Sequence, residues 1–280
     1  MGDFLQADGR RIHYVETGVR TGPALVLLHG QSGTWYDWSY VMPALAAKYR
    51  VVAIDHPGFG DSDWDETGKL YLVGGFSALL PGVLRQLALE RFVMIGHSFG
   101  GRISLAYACR HPEQVRAVIL ADSAPDIDPQ GSLNARKYLS SIPAQFDRFE
   151  DAVPFFHAHY PNLTPAQLDE RLRHYMRQLP SGAWQVKRDP LIGETYKKIL
   201  AGRGKAPPPD SESLRNCPCP VLLLRGTESD LVTPAIEQQM REVQPRMQTI
   251  DIHGAGHLVC TEQPRQVTDA LLGYLDRLSA

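Results

Sequence analysis

Six short runs of nearly unbroken Val, Ile and Leu punctuate the 280-residue chain, at 24–29, 50–55, 92–96, 117–122, 221–226 and 247–252. Apolar runs of this length suit strands that are covered on both faces. Between them lie stretches with a helical period, such as "LLPGVLRQLALE", "GRISLAYACRHPEQ" and "PAIEQQMREV". Alternation of strand and helix predicts a mostly parallel sheet joined by right-handed crossovers and flanked by helices. Upstream, "RRIHYVETG" alternates polar and apolar residues, as an antiparallel edge strand would.

One region breaks the rhythm. From residue 124 to 210 no buried strand is legible, but helix starts are: Thr164-Pro165-Ala166-Gln167 and Asp189-Pro190 each set a capping residue before a proline. The stretch closes in "GRGKAPPPD", a Gly- and Pro-rich linker. The expectation is a core built from residues 1–123 and 211–280, with a helical cap inserted at 124–210.

Composition narrows the function. A net charge of −2 and a pI of 6.5 give no basic surface for nucleic acid. No apolar run is long enough to span a membrane, and the first residues lack the apolar centre of a signal peptide, so a cytoplasmic protein is expected. The four cysteines are too few and too irregular for a disulfide framework, and Cys217-Pro218-Cys219 is one residue short of a redox or zinc Cys-x-x-Cys. His157 and His159 have no further ligands near them in sequence, so no metal and no cofactor is expected.

The chemistry centres on Gly96-His97-Ser98-Phe99-Gly100, where an apolar run meets a helical pattern. A strand that turns sharply into a helix thrusts one side chain above the sheet, and flanking glycines let the backbones close around it. Ser98 then stands at a helix N-terminus, where N–H groups and the dipole favour the negative charge that nucleophilic attack creates. Such a serine needs a base, and the base needs an orienting acid. Asp230 follows the run at 221–226, and His257 follows the run at 247–252 within "HGAGHLVCTEQP".

The segments "LLHGQSGTWYDW", "AIDHPGFGDSD", "GHSFGG", "GTESDLVTP" and "GAGHLVCTEQP" closely resemble the α/β-hydrolase superfamily, in its capped, cofactor-free branch. The resemblance implies an eight-stranded α/β-hydrolase sheet. It also implies Ser98 as nucleophile, His257 as base and then acid, and Asp230 as the acid, since residues 226–234 fit the family's acid loop. Asp122, at the end of an apolar run, and Glu228 are competing acids; His253 is the competing base. The implied oxyanion donors are the backbone N–H groups of Phe99 and Gln31, with His29 fixing the turn behind them. Candidate substrate contacts are Gly30, Trp35, His97, Trp184 and Leu258, with Tyr36 and Trp38 also flanking the oxyanion turn.

The expected reaction is cleavage of a medium-sized, apolar or aromatic ester or lactone through an acyl-enzyme. A carbon–carbon bond hydrolase of the meta-cleavage type is the alternative. That group has Asn before the serine and Trp after the histidine, where this chain has His97 and Leu258. A small-molecule receptor on the same scaffold is a third reading. Haloalkane dehalogenases and epoxide hydrolases of this fold use an aspartate nucleophile, which Ser98 opposes. The only partner expected is a small-molecule substrate, with the chain a monomer or a homodimer.

Overall fold

A computed structural model describes residues 2–205 and 210–279. Its first half lays down strands β1 (Asp3–Ala7), β2 (Arg10–Gly18), β3 (Ala24–Leu28), β4 (Arg50–Ile54), β5 (Phe92–His97) and β6 (Val115–Ala121). Interleaved are helices α1 (Met42–Ala46), α2 (Val73–Gln86) and α3 (Phe99–Arg110). After a long excursion come α8 (Ser211–Arg215), β10 (Val221–Gly226), α9 (Pro234–Val243), β11 (Gln248–Ile252), α10 (Val259–Glu262) and α11 (Pro264–Ser279). The eight strands form one sheet in the order β1-β2-β4-β3-β5-β6-β10-β11, parallel from β4 onward.

Why the apolar runs are continuous is plain from β3. Val26 and Leu28 face one core cluster with Phe76, Leu80 and Ile103, while Leu25 and Leu27 face the other with Trp38, Val267 and Leu271. Helices cover both faces, so neither set of alternate side chains reaches water. The alternating strand at residues 10–18 is antiparallel as expected but is not the edge. β1 pairs outside it, from Asp3 opposite Tyr14 to Ala7 opposite Arg10.

The excursion between β6 and β10 carries α4 (Pro129–Ser141), α5 (Phe149–His157), α6 (Pro165–Tyr175) and α7 (Pro190–Leu200). Thr164 and Asp189 cap the last two, Thr164 through a full capping box with Gln167. This insert is not purely helical. Short strands β7 (Gln145–Phe146), β8 (Met176–Gln178) and β9 (Trp184–Val186) form a separate antiparallel sheet in the order β7-β9-β8. It has its own core of Phe149, Phe156, Leu168, Leu172 and Tyr175, to which Leu258 of the main fold adds. Part of the linker read at residues 202–210, namely 206–209, lies outside the described residues. Among those described, no helix is long and apolar enough to cross a membrane.

Candidate active site

β5 stops and α3 starts at a single residue. Ser98 has φ 51° and ψ −115°, a conformation that costs a non-glycine residue about 1–3 kcal/mol. The neighbouring glycines are what make it attainable. A Cβ at Gly96 would lie 2.3 Å from Gly101 N, and one at Gly100 would lie 2.2 Å from the Leu28 carbonyl oxygen. Ser123 fastens the turn from the next strand by donating its hydroxyl to the Ser98 carbonyl at 2.5 Å.

Ser98 and His257 line one cavity of about 970 Å³ between the sheet and the insert. His257 sits in the loop after β11, and its Nδ1–H donates to Asp122 Oδ2 at 2.7 Å. A carboxylate only accepts, so this contact fixes the tautomer: Nδ1 carries the proton and Nε2 keeps the lone pair a base requires. Asp122 is fully buried at the end of β6 and adopts φ 43°, a left-handed conformation that aspartate tolerates. The Gly226 N–H donates to its Oδ1 at 3.0 Å, and the Ser229 hydroxyl donates to its Oδ2 at 2.6 Å.

The acid beside the histidine is therefore Asp122, and the expected Asp230 is corrected. The two carboxylates follow adjacent parallel strands, and the turn after β10 decides between them. That turn points Ser229 inward to Asp122, while Asp230 stays exposed in the cavity lining and accepts from Asn134 Nδ2 at 3.2 Å. Glu228 is likewise exposed and accepts from Asn162 at 3.3 Å. His253 is exposed, its N–H turned to Gln266, and does not line the cavity.

His97 and Glu262 fix the backbone on either side of the His257 ring. The buried His97 donates Nε2–H to the His257 carbonyl at 2.9 Å, which ties the loop to the residue preceding Ser98. Burial, together with His257 nearby, pushes the His97 pKa down to about 3, so it is a neutral strut. Glu262 receives the N–H groups of Gly256 at 2.6 Å and Leu258 at 3.1 Å, bracketing His257. Sequence reasoning missed Ser229 and the role of Glu262; serine and glutamate in a loop carry no mark of what they bind.

The other wall of the cavity is the turn after β3. Gly33 N–H bonds the Gly30 carbonyl at 3.2 Å, which leaves Gln31 N–H as the first inner amide of a four-residue turn. Phe99 is the first residue of α3, so its N–H has no acceptor within the helix. These are the two amides expected to face an oxyanion, and both residues line the cavity. His29 supports the turn as expected. Its Nδ1–H donates to the Gly30 carbonyl at 2.7 Å, while Nε2 accepts the His56 N–H at 3.0 Å. Burial keeps His29 well below the usual histidine range and His56 at about 4.

Of the expected substrate contacts, Gly30, His97 and Leu258 line the cavity. Trp35 and Trp184 do not, and are corrected. Trp35 packs edge-on to His174 and against the second core cluster, and its backbone N–H donates to the buried Asp55. Trp184 lies 5.0 Å, centroid to centroid, from Phe149 within the insert's own core. Tyr36 stacks on His174 and Trp38 is in the core. The insert aromatics that reach the cavity are Tyr138, Tyr160 and Tyr196. His159 hydrogen-bonds Phe155 and stacks on Tyr138. Among the described residues one cluster, His13, Asp55 and Asp61, has metal-like spacing, but hydrogen bonds to one another and to Trp35 and Lys187 engage its atoms.

A serine at a strained strand–helix turn, a histidine–carboxylate pair and an eight-stranded parallel-type sheet define an α/β hydrolase. Residues 23–264 match the family described as alpha/beta hydrolase fold, and the chain belongs to it. It is 25% identical over 258 residues to 2-(acetamidomethylene)succinate hydrolase of Mesorhizobium japonicum, covering 91% of this chain and 89% of that one. It is 26% identical over 313 residues to bifunctional epoxide hydrolase 2 of Mus musculus, covering 95% of this chain and 54% of that protein. A crystal structure of E-2-(acetamidomethylene)succinate hydrolase superposes with a TM-score of 0.88 at 22% identity, over 99% of both chains.

Proposed function

We propose that the protein is a serine hydrolase that cleaves a medium-sized ester or lactone through an acyl-enzyme, with the insert acting as a cap over the site. The observation that carries this reading is the His257–Asp122 contact at 2.7 Å, which places the proton of the neutral imidazole on Nδ1 and its lone pair on Nε2, in the cavity that also presents Ser98. In the first step Ser98 Oγ attacks the carbonyl carbon as His257 Nε2 takes its proton. The carbonyl oxygen becomes an anion facing the Gln31 and Phe99 N–H groups. The intermediate collapses, His257 returns the proton to the leaving alkoxide, and the acyl group stays on Ser98. Water then attacks with His257 again as base, releasing the acid and restoring the serine. Asp122 keeps Nδ1 protonated and stabilises the imidazolium at each transfer.

The test is hydrolysis of p-nitrophenyl acetate and butyrate by wild type and Ser98→Ala. Turnover by the wild type that is lost in the variant supports the reading; equal turnover by the two proteins, or none by either, contradicts it.

A second reading concerns the substrate's charge. The cavity has apolar walls at Ile127, Leu231 and Ile236, and its charged lining sets Arg102 and Arg136 beside Asp126, Glu228, Asp230 and Glu262. The Arg136 guanidinium suits a substrate that carries a carboxylate better than a wholly apolar ester. The relative named for a succinate-type substrate favours the same class. A panel of neutral and carboxylate-bearing esters separates the two, because Arg136→Met should raise KM only for the charged set.

A further inference from the structure

The turn that carries the Gln31 amide has glycine at both ends, Gly30 and Gly33, and so has little stiffness of its own. An oxyanion donor is effective only if it is fixed before the charge develops. The main fold supplies one tether, His29 to the Gly30 carbonyl. The others come from the insert and fall on the two inner residues of the turn. Tyr196 of α7 donates its hydroxyl to Gln31 Oε1. Tyr160, which follows α5, donates to Ser32 Oγ at 2.9 Å while its hydroxyl also meets that of Tyr138 at 2.6 Å. Arg171 of α6 donates to the Ser32 carbonyl at 2.6 Å and pairs with Asp37, just beyond the turn.

Arg171 is almost wholly buried, and its guanidinium lies 5.1 Å from the centroid of the Tyr160 ring. A buried cation of this kind is costly unless its donors are used, and here they are spent on the Gly30–Gly33 turn and its flank. Three separate elements of the insert thus converge on one four-residue segment of the core.

We infer that Tyr196, Tyr160 and Arg171 are positioning residues that set the Gln31 N–H, so that the oxyanion hole is complete only while the insert is seated on the core. The inference rests on the serine-hydrolase reading above. It gives the Gln31 side chain a role: the backbone N–H meets the oxyanion, and the side chain is the handle by which the insert holds that N–H. Any opening of the insert to admit substrate also dismantles the hole, and closure rebuilds it, coupling admission of substrate to competence for attack.

The test is a double-mutant cycle of Tyr196→Phe and Gln31→Ala, read as affinity for an alkylboronic acid, whose adduct with the serine places an anionic oxygen in the hole. Tyr160→Phe provides a second single-atom deletion, and thermal melts establish that each variant is folded. Each single change should weaken boronate binding and kcat together by roughly tenfold, part of the 10²–10³-fold cost of losing a whole donor, with KM for p-nitrophenyl butyrate nearly unchanged. The Tyr196→Phe/Gln31→Ala double variant should be no worse than either single variant. Wild-type boronate affinity in the folded Tyr196→Phe and Tyr160→Phe variants, or fully additive losses in the cycle, overturns the inference. A wild type that binds no boronate and cleaves no ester removes the serine chemistry itself, a failure distinguishable from that of the clasp.

Discussion

His257 and Asp122 are 135 residues apart in sequence and 2.7 Å apart in space, Nδ1 to Oδ2. The carboxylate that orients the imidazole comes from the end of β6, not from the loop after β10. β10 still serves the pair, because Gly226 and Ser229 both donate to Asp122. The neighbouring strand thus supplies hydrogen-bond donors rather than the charge.

That division of labour makes Ser229 more important than a loop serine would suggest. Its hydroxyl donates to Asp122 and accepts the N–H groups of Leu231 and Val232, both at 3.2 Å. Ser229→Ala should cost about 2 kcal/mol of stability, the scale of a hydrogen bond to a charged group, and should lower kcat without changing the substrate preference. Chemical denaturation and ester kinetics on the same preparation check both; a variant as stable and as active as wild type contradicts the assignment.

The elbow admits no side chain at its two glycine positions. Gly100→Ala would press a methyl carbon to 2.2 Å from the Leu28 carbonyl oxygen, and backbone cannot swing aside as a flexible side chain can. The expected loss is about 3 kcal/mol, the upper part of the range for overpacking, together with loss of activity. Gly82→Ala, within α2 and with the Ala7 Cβ of β1 as its neighbour at 3.8 Å, is the matched control and should melt like wild type or slightly higher.

Three buried histidines near the site, His29, His56 and His97, are held neutral chiefly by burial. In the unfolded chain each takes up a proton near pH 6.5, whereas in the folded protein His56 does so only near 4 and His97 only near 3. Between those values the unfolded state binds more protons, so stability rises with pH there. The contribution is fully present above about pH 6.5 and declines as pH falls, by up to about 1.4 kcal/mol per unit for each histidine. Melting temperature should therefore drop steeply from pH 6.5 to 5, before most carboxylates titrate. A flat profile across that interval contradicts the account.

The core sheet was legible because strands covered on both faces leave continuous apolar runs, and β3, β4, β5 and β10 lie where those runs predict. The elbow was legible because only glycine fits at 96 and 100. β1 was not, since its five residues alternate too briefly to stand out, nor were the two- and three-residue strands of the insert. The acid was misplaced because residues 122 and 230 carry the same local signature, an aspartate just beyond a buried strand. The choice between them depends on which side chain the turn after β10 sends inward, a tertiary fact. Trp35 and Trp184 were misplaced for a similar reason: a large ring near a site fills the core as readily as it lines a pocket.

The most direct test of the triad is the rate of fluorophosphonate labelling at Ser98 in wild type, Asp122→Asn and Asp230→Asn, with Ser98→Ala as the blank. The geometry predicts that Asp122→Asn slows labelling and ester turnover by roughly 10⁴-fold, the cost of misorienting the imidazole, while Asp230→Asn labels at close to the wild-type rate. Rapid labelling of Asp122→Asn together with failure of Asp230→Asn would contradict the account at its centre.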